Sequence, residues 1–164
     1  MQVALISDTH IPSRAQSIPR WAQREIRAAD HVLHAGDFDS TKGLADVRAV
    51  ASNLTAVAGN MDPRGLEFPA VETIELGGIE FVLTHGTGRK STYESRVAGT
   101  VAEHAGDGPT VGVSGHTHQL LDMDVDGYRL LNPGSVTGAS PADEATMLTA
   151  EVAGGDIDVT VHRE

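Results

Sequence analysis

Val111-Gly112-Val113-Ser114-Gly115-His116-Thr117-His118 sets the pattern for the whole chain: a short apolar run, then glycine, then two histidines separated by one residue. In an extended segment, side chains two apart project to the same side, so both imidazoles would enter one cavity. One such pair is weak ground for a metal site, because a histidine at a strand end is commonly a hydrogen-bonded structural residue. Four other stretches, however, end in the same way. Val3 to Ile6 runs into Ser7-Asp8-Thr9-His10, His31 to Ala35 into Gly36-Asp37, Leu54 to Ala58 into Gly59-Asn60-Met61-Asp62, and Ile79 to Thr84 into His85-Gly86.

The elements between these runs define the fold class. Val3-Ala4-Leu5-Ile6 has the uninterrupted apolar character of a strand buried on both faces. Ser17-Ile18-Pro19 reads as a helix start with proline in the first turn, and the helix runs to about Ala28 with Ile18, Trp21, Ala22 and Ile26 inward. Asp39-Ser40-Thr41 can cap a second helix carrying Leu44, Val47 and Val50 on one face. The first third is therefore β-α-β-α-β with parallel strands. Gly77-Gly78 marks a hairpin between runs at 71–76 and 79–84, and Tyr93 to about His104 is a helix. After the double histidine, runs at 120–125, 128–131, 146–152 and 157–162, separated by Asp126-Gly127 and Gly154-Gly155, read as an antiparallel meander. A parallel half and an antiparallel half imply two packed sheets with helices outside, in one domain spanning residues 1–164.

The strand ends supply Asp8, His10, Asp37, Asn60, His85, His116 and His118. Ligands of parallel β-α units bind beyond the carboxyl ends of the strands, where all seven fall. Seven donors are too many for one tetrahedral zinc and suit two ions of higher coordination. Asp37 is the natural bridge, because a carboxylate has two oxygens whereas imidazole has one free nitrogen. Gly36, Gly59, Gly86 and Gly115 adjoin these ligands, where close approach of backbone would leave no room for a Cβ.

Composition narrows the chemistry. With 164 residues and 40% hydrophobic content the chain can bury a core, and at 4% aromatic that core is aliphatic. It has no cysteine, which removes thiolate ligands and disulfides. The net charge of −11 argues against gripping duplex nucleic acid, which requires a basic stripe. Of 12 basic residues only Lys42 and Lys90 are lysine; a salt-rich cytoplasm and a GC-rich genome both produce this pattern. The N-terminus lacks the basic stretch of a secretory signal, and no apolar run approaches the ~18 residues of a membrane span. The expectation is a cytoplasmic protein acting on a small phosphate ester, with no membrane partner; self-association into a homo-oligomer stays open.

Asp8-x-His10, Gly36-Asp37, Gly59-Asn60-x-Asp62, His85-Gly86 and Gly115-His116-x-His118 together resemble the ordered motif set of the calcineurin-like metallophosphoesterases. The likeness is nearest to their small archaeal and bacterial phosphodiesterase branch, which Asn132-Pro133-Gly134-Ser135 also resembles, and it spans roughly residues 3–138. It implies an α/β (α+β) fold: a four-layer αββα sandwich, two mixed β-sheets flanked by helices. It also implies two divalent ions, with Asp8, His10 and His118 on one, Asn60, His85 and His116 on the other, and Asp37 on both. Mn²⁺ is the ion expected, with Fe, Zn, Ni or Mg as alternatives. Two such ions ~3.5–4 Å apart would acidify a bridging water, whose hydroxide attacks phosphorus in line. Asp37, Asn60 and Asp62 are then the expected catalytic residues, with Asp62 orienting a ligand or water. Asn60, Arg14 and Arg89 are the expected substrate contacts, the arginines by bidentate hold on phosphate.

Two departures stand out. Where many relatives have a histidine after Gly-Asn that can protonate the leaving group, this chain has Met61. Where close relatives carry a second histidine two residues after the one matching His85, it has Thr87. The obvious general acid is missing, which predicts a preference for acidic leaving groups such as aryl phosphodiesters. Asp8-Thr9-His10-Ile11-Pro12-Ser13-Arg14, with Ser17-Ile18-Pro19, also resembles the retromer scaffold subunit of the same fold. That subunit has asparagine where this chain has Asp37 and aspartate where it has Asn60. A protein-binding scaffold is therefore the alternative, and a nuclease of the same superfamily a third reading.

Overall fold

Alternation along the first strand shows how the layers are built. In the computed structural model, which describes residues 1–164, strand β1 (Gln2–Ile6) sends Val3 and Leu5 to one face and Ala4 and Ile6 to the other, all four fully buried. Val3 and Leu5 join a cluster between two sheets, while Ala4 and Ile6 pack against helices. A strand covered on both sides needs this continuous apolar run.

The first sheet has the order β10-β9-β1-β2-β3. Its strands β1, β2 (His31–His34) and β3 (Leu54–Ala56) are parallel. Helices α1 (Arg20–Ala28) and α2 (Thr41–Arg48) connect them and cover the outer face through Ala22, Ile26, Leu44 and Val47. Ser40, not Asp39, caps α2, its hydroxyl accepting from the Gly43 amide at 3.0 Å. The second sheet has the order β4-β5-β6-β8-β7. Strands β4 (Val71–Leu76) and β5 (Ile79–Thr84) form a hairpin, β6 (Thr110–Val113) runs parallel to both β5 and β8 (Tyr128–Pro133), and β7 (Leu120–Val125) closes the edge. Helix α3 (Tyr93–His104) covers its outer face through Tyr93, Val97, Ala98 and Val101 on Val82 and Leu130. Phe81, Leu83, Val111, Val113 and Leu131 fill the space between the sheets. The architecture is the four-layer αββα sandwich with two mixed sheets.

The single antiparallel meander expected after residue 120 is corrected. β7 and β8 form a hairpin in the second sheet, whereas β9 (Thr146–Ala153) and β10 (Asp156–Arg163) return to the first, where β9 pairs antiparallel with β1. Leu148, Ala150 and Val152 face the intersheet layer and Met147 the helices, so β9 is an interior strand, covered on both faces as far as Ala150. α3, at 12 residues, is the longest helix; no helix is long and apolar enough to cross a membrane.

Candidate metal centre

Beyond the carboxyl ends of β1, β2, β3, β5 and β6, the loops carry their polar side chains to one place. Hydrogen bonds between the loops fix the junction: the Asp8 amide donates to the Gly36 carbonyl at 3.0 Å, His10 to Asp37 at 3.1 Å and Gly115 to His85 at 3.1 Å. Asp8, His10, Asp37, His85 and His118 are all buried, while His116 is half-buried and Asn60 exposed at the mouth.

Each carboxylate divides its oxygens between protein and centre. Asp8 Oδ2 accepts from the Ser7 hydroxyl at 2.7 Å and the His116 amide at 3.1 Å, and its Oδ1 is buried without a hydrogen-bond partner. Asp37 Oδ1 accepts from the Met61 amide at 2.8 Å, and its Oδ2 lies 3.5 Å from His10 Nε2 and 3.1 Å from His85 Nε2. Gly59 makes this packing possible, since a Cβ there would overlap the Asp37 carboxylate.

Three of the four histidines follow one rule: Nδ1 donates to an acceptor away from the centre, and Nε2 faces inward. His10 Nδ1 meets Asp39 Oδ1 at 2.7 Å, His85 Nδ1 meets the Ala35 carbonyl at 2.7 Å, and His118 Nδ1 meets the Ala139 carbonyl at 2.8 Å. His116 lies between two oxygens, with Nε2 at 3.2 Å from the Gly88 carbonyl and Nδ1 at 3.2 Å from Asn60 Oδ1, so that either nitrogen can carry the proton. The tautomers of His10, His85 and His118, assigned from the hydrogen-bond network, leave lone pairs confronting one another. His10 Nε2 and His118 Nε2 stand 3.2 Å apart, with Asp8 Oδ1 3.2 Å from the latter, and His85 Nε2 makes no hydrogen bond although Asp37 Oδ2 lies 3.1 Å away. Acceptors facing acceptors at these distances require a positive charge between them, either protons or cations.

The electrostatics agree. Burial alone would raise the Asp8 carboxyl, but His10 and His118 against it hold it well below the usual carboxylate range. Burial likewise opposes ionisation of Asp37, and His85 overcomes it, so Asp37 is also lowered. His10 and His85 are raised despite burial, His10 by Asp8 and Asp39, His85 by Asp37 and Asp8. His116 is lowered by burial and by the neighbouring His85, which favours the neutral ring. Two overlapping groups have the compactness a metal needs: Asp8, His10 and His118, and Asp8, Asp37 and His85, with ligand atoms within 4.8 Å of one another in each. The donor set, nitrogen and oxygen only with a committed outer hydrogen bond on three of the four rings, fits hard or borderline divalent cations.

Local backbone departs from expectation. His116 and His118 lie in the left-handed region, with φ of 72° and 60°, and do not belong to an extended segment. Their rings diverge: His116 packs against His85 with centroids 5.2 Å apart, and His118 against His10 at 4.9 Å. Asp8, His10, Asp37 and Asp39 are left-handed as well, with φ between 45° and 79°. Asp62 sits outside the centre, with Oδ2 accepting from the Asp37 amide at 2.9 Å and the Gly59 amide at 2.8 Å, and Oδ1 from the Asp39 amide at 3.0 Å. Both oxygens are occupied by backbone, so the geometry leaves it the positioning of the Asp37 loop. Arg14 is exposed and donates to the Ser140 carbonyl at 2.9 Å, and Arg89 is exposed on the loop after His85. Asp39, whose sequence context suggests only helix-cap chemistry, fixes His10 and also accepts from the Ser13 hydroxyl. An acid two residues after Asp37, at a strand exit, was the available signal.

Comparison with known proteins follows the same lines. Residues 1–155 match the calcineurin-like phosphoesterase superfamily domain. A probable metallophosphoesterase of Methanothermobacter thermautotrophicus is 34% identical over 166 residues, covering 99% of this chain and 92% of the relative. Another, from Mycoplasma pneumoniae, is 32% identical over 169 residues, covering 98% and 96%. Among solved structures, Vps29 of Chaetomium thermophilum superposes with a TM-score of 0.83 at 19% identity, over 100% of this chain and 97% of that one. A structure described as a novel archaeal phosphodiesterase gives 0.71 at 21% identity, over 99% and 100%. Likeness at such identities concerns the fold alone, but the domain match over nearly the whole length and the two relatives above 30% identity establish ancestry: the chain belongs to the calcineurin-like phosphoesterase superfamily.

Proposed function

We propose that the chain is a dinuclear metal-dependent phosphodiesterase. The observation that carries this is the set of inward lone pairs: three imidazoles, those of His10, His85 and His118, each anchored through Nδ1, aimed with two carboxylate oxygens at one buried space, with His116 at its rim. Asp8, His10 and His118 would hold one divalent ion, Asn60, His85 and His116 the other, and Asp37 both, because its Oδ2 faces His10 and His85 alike. Mn²⁺ is the ion proposed, with Fe, Zn, Ni or Mg as substitutes. Bound there, such a pair would neutralise phosphate oxygens and lower the pKa of water, supplying the nucleophile without any side chain being phosphorylated.

The chain's own residues shape the rest. The amide of Asn60 is exposed at the mouth beside His116 and can meet a substrate oxygen as well as an ion. Arg14 and Arg89, exposed on loops that follow ligand motifs, are proposed to hold the phosphate or its substituent. Asp62, Asp39 and the carbonyls of Ala35, Gly88 and Ala139 orient the ligands. Met61, 45% exposed at the mouth, and Thr87 can neither donate nor accept a proton at neutral pH, so neither position supplies the general acid that relatives carry there. Where the leaving group is poor, that absence costs about 10²–10⁴-fold.

The decisive experiment strips metals, counts the ions taken up when Mn²⁺ is restored, and assays aryl, alkyl and nucleotide phosphodiesters and monoesters with Asp37→Ala as control. Two ions per chain, hydrolysis of aryl diesters well ahead of alkyl ones, and loss of both uptake and activity in Asp37→Ala are expected. Equal rates for alkyl and p-nitrophenyl esters would remove the leaving-group argument. Two bound ions with no hydrolysis of any ester would favour the alternative, a protein-binding scaffold, which rests on the likeness of fold to Vps29.

A further inference from the structure

One side chain bridges most of the loop between β5 and α3. Arg96, half-buried on α3, donates from Nη1 to the Thr87 carbonyl at 2.7 Å and from Nη2 to the Arg89 carbonyl at 2.7 Å, with both nitrogens 3.4 Å from the Gly86 carbonyl. Its Nε donates to the Thr92 hydroxyl at 3.0 Å, which fixes the plane of the fork. Of the four consecutive carbonyls from Gly86 to Arg89, the guanidinium takes three and the remaining one, Gly88, faces His116 Nε2 at 3.2 Å. Contact between guanidinium and the Gly88 peptide is close: a Cβ on Gly88 would come within 2.9 Å of the Arg96 Cζ, at a φ of +130° that already disfavours side chains.

We propose that Arg96, which touches none of the ligand atoms, is a positioning residue for the second ion: by holding Gly88 it fixes the tautomer of His116, and with it the nitrogen left free toward Asn60. The inference rests on the dinuclear reading above. His116 differs from the other three rings, whose outer partners are a carboxylate fixed by Ser13 and carbonyls at 2.7 and 2.8 Å in buried backbone. Its own partner lies in an exposed loop whose order depends on the guanidinium fork. Lysine cannot reproduce that fork, because a single ammonium cannot reach three carbonyls in a plane.

The test uses the full-length protein with Arg96→Lys, Arg96→Gln and Gly88→Ala. In the metal-free state, long-range ¹H–¹⁵N spectra should show His116 as the Nε2–H tautomer in wild type, with the Nδ1–H form gaining in all three variants. In Mn²⁺ titrations by calorimetry, the second binding event should weaken by about 10–100-fold, the usual consequence of losing an outer hydrogen bond to a ligand, while the first changes by less than about twofold. Unchanged tautomer and unchanged second affinity would overturn the proposal. So would equal weakening of both events together with a lowered melting temperature, which is what a merely structural arginine would give. A wild type that takes up fewer than two ions would instead overturn the dinuclear reading, and the tautomer measurement would still decide the role of Arg96.

Discussion

Six residues of the candidate centre and its immediate support, Asp8, His10, Asp37, Asp39, His116 and His118, adopt left-handed backbone conformations. Aspartate and histidine tolerate this region better than most side chains, yet each instance costs of the order of 1 kcal/mol. The surrounding hydrogen bonds and packing offset that cost, and the return is direction, since a left-handed residue at a strand exit turns its side chain back over the sheet end. The seven ligand-type residues were legible because each follows an apolar run. Their manner of convergence was not, because a dipeptide spacing carries no record of φ. Asp39 and Arg96 were missed for a related reason: a cap-type acid before a helix and an arginine within one have ordinary local explanations, and only the folded loops give them partners.

His34 makes a residue-scale prediction. It is fully buried, accepts from the Gly36 amide at 3.0 Å, shares a 2.8 Å hydrogen bond with the Thr9 hydroxyl and stacks on Phe38. Burial pushes its pKa down to about 3. A depressed histidine favours the neutral form in the fold, so the unfolded chain binds the extra proton. Its contribution is complete above the unfolded value near 6.5 and is lost as pH falls through the interval down to about 3. In chelator, urea unfolding at pH 7 and pH 4.5 should therefore show the advantage of wild type over His34→Asn shrinking by roughly 2.5 kcal/mol. An advantage that stays constant would mean that His34 titrates normally in the fold.

At the scale of elements, the strands and helices emerged with boundaries close to those observed, since period-two and helical patterns are local. What stayed hidden was which sheet each late strand joins. Nothing in Thr146–Ala153 distinguishes a partner in β8 from one in β1; the choice is made by packing of Leu148, Ala150 and Val152 against the intersheet core. A second element-level feature links α3, β8 and the double-histidine loop. Buried Asn132 donates to the Gly115 carbonyl at 2.9 Å, to the Thr117 hydroxyl at 3.0 Å and to the Tyr93 hydroxyl at 3.0 Å, while Tyr93 also meets the Ser114 hydroxyl at 2.6 Å. Asn132→Ala strands several buried polar groups and should cost about 2–3 kcal/mol in urea unfolding. Because the network seats the His116 loop, Mn²⁺ affinity should fall with it, and a stability loss without any change in affinity would confine Asn132 to a turn role.

Across the whole molecule, the centre spans the seam between the two sheets. Asp8, His10, Asp37 and Asn60 leave the first sheet, whereas His85, His116 and His118 leave the second. Cations held there would tie the layers together and relieve the confrontation of buried acceptors, and two divalent ions would also reduce a net charge of −11. An ion that binds only the folded state stabilises it by about 2.7 kcal/mol at one hundred times its dissociation constant. For a chain of this size each kcal/mol raises the melting temperature by roughly 2–4 °C. Chelation should therefore lower the melting temperature by about 5–10 °C and Mn²⁺ should restore it, with Asp37→Ala showing little response to either. Molar KCl addresses a separate effect, screening of the acidic surface, and should raise the melting temperature of the chelated protein and of Asp37→Ala alike. If KCl reproduced the whole effect of Mn²⁺ in wild type, surface charge rather than a tie between the sheets would account for the stabilisation.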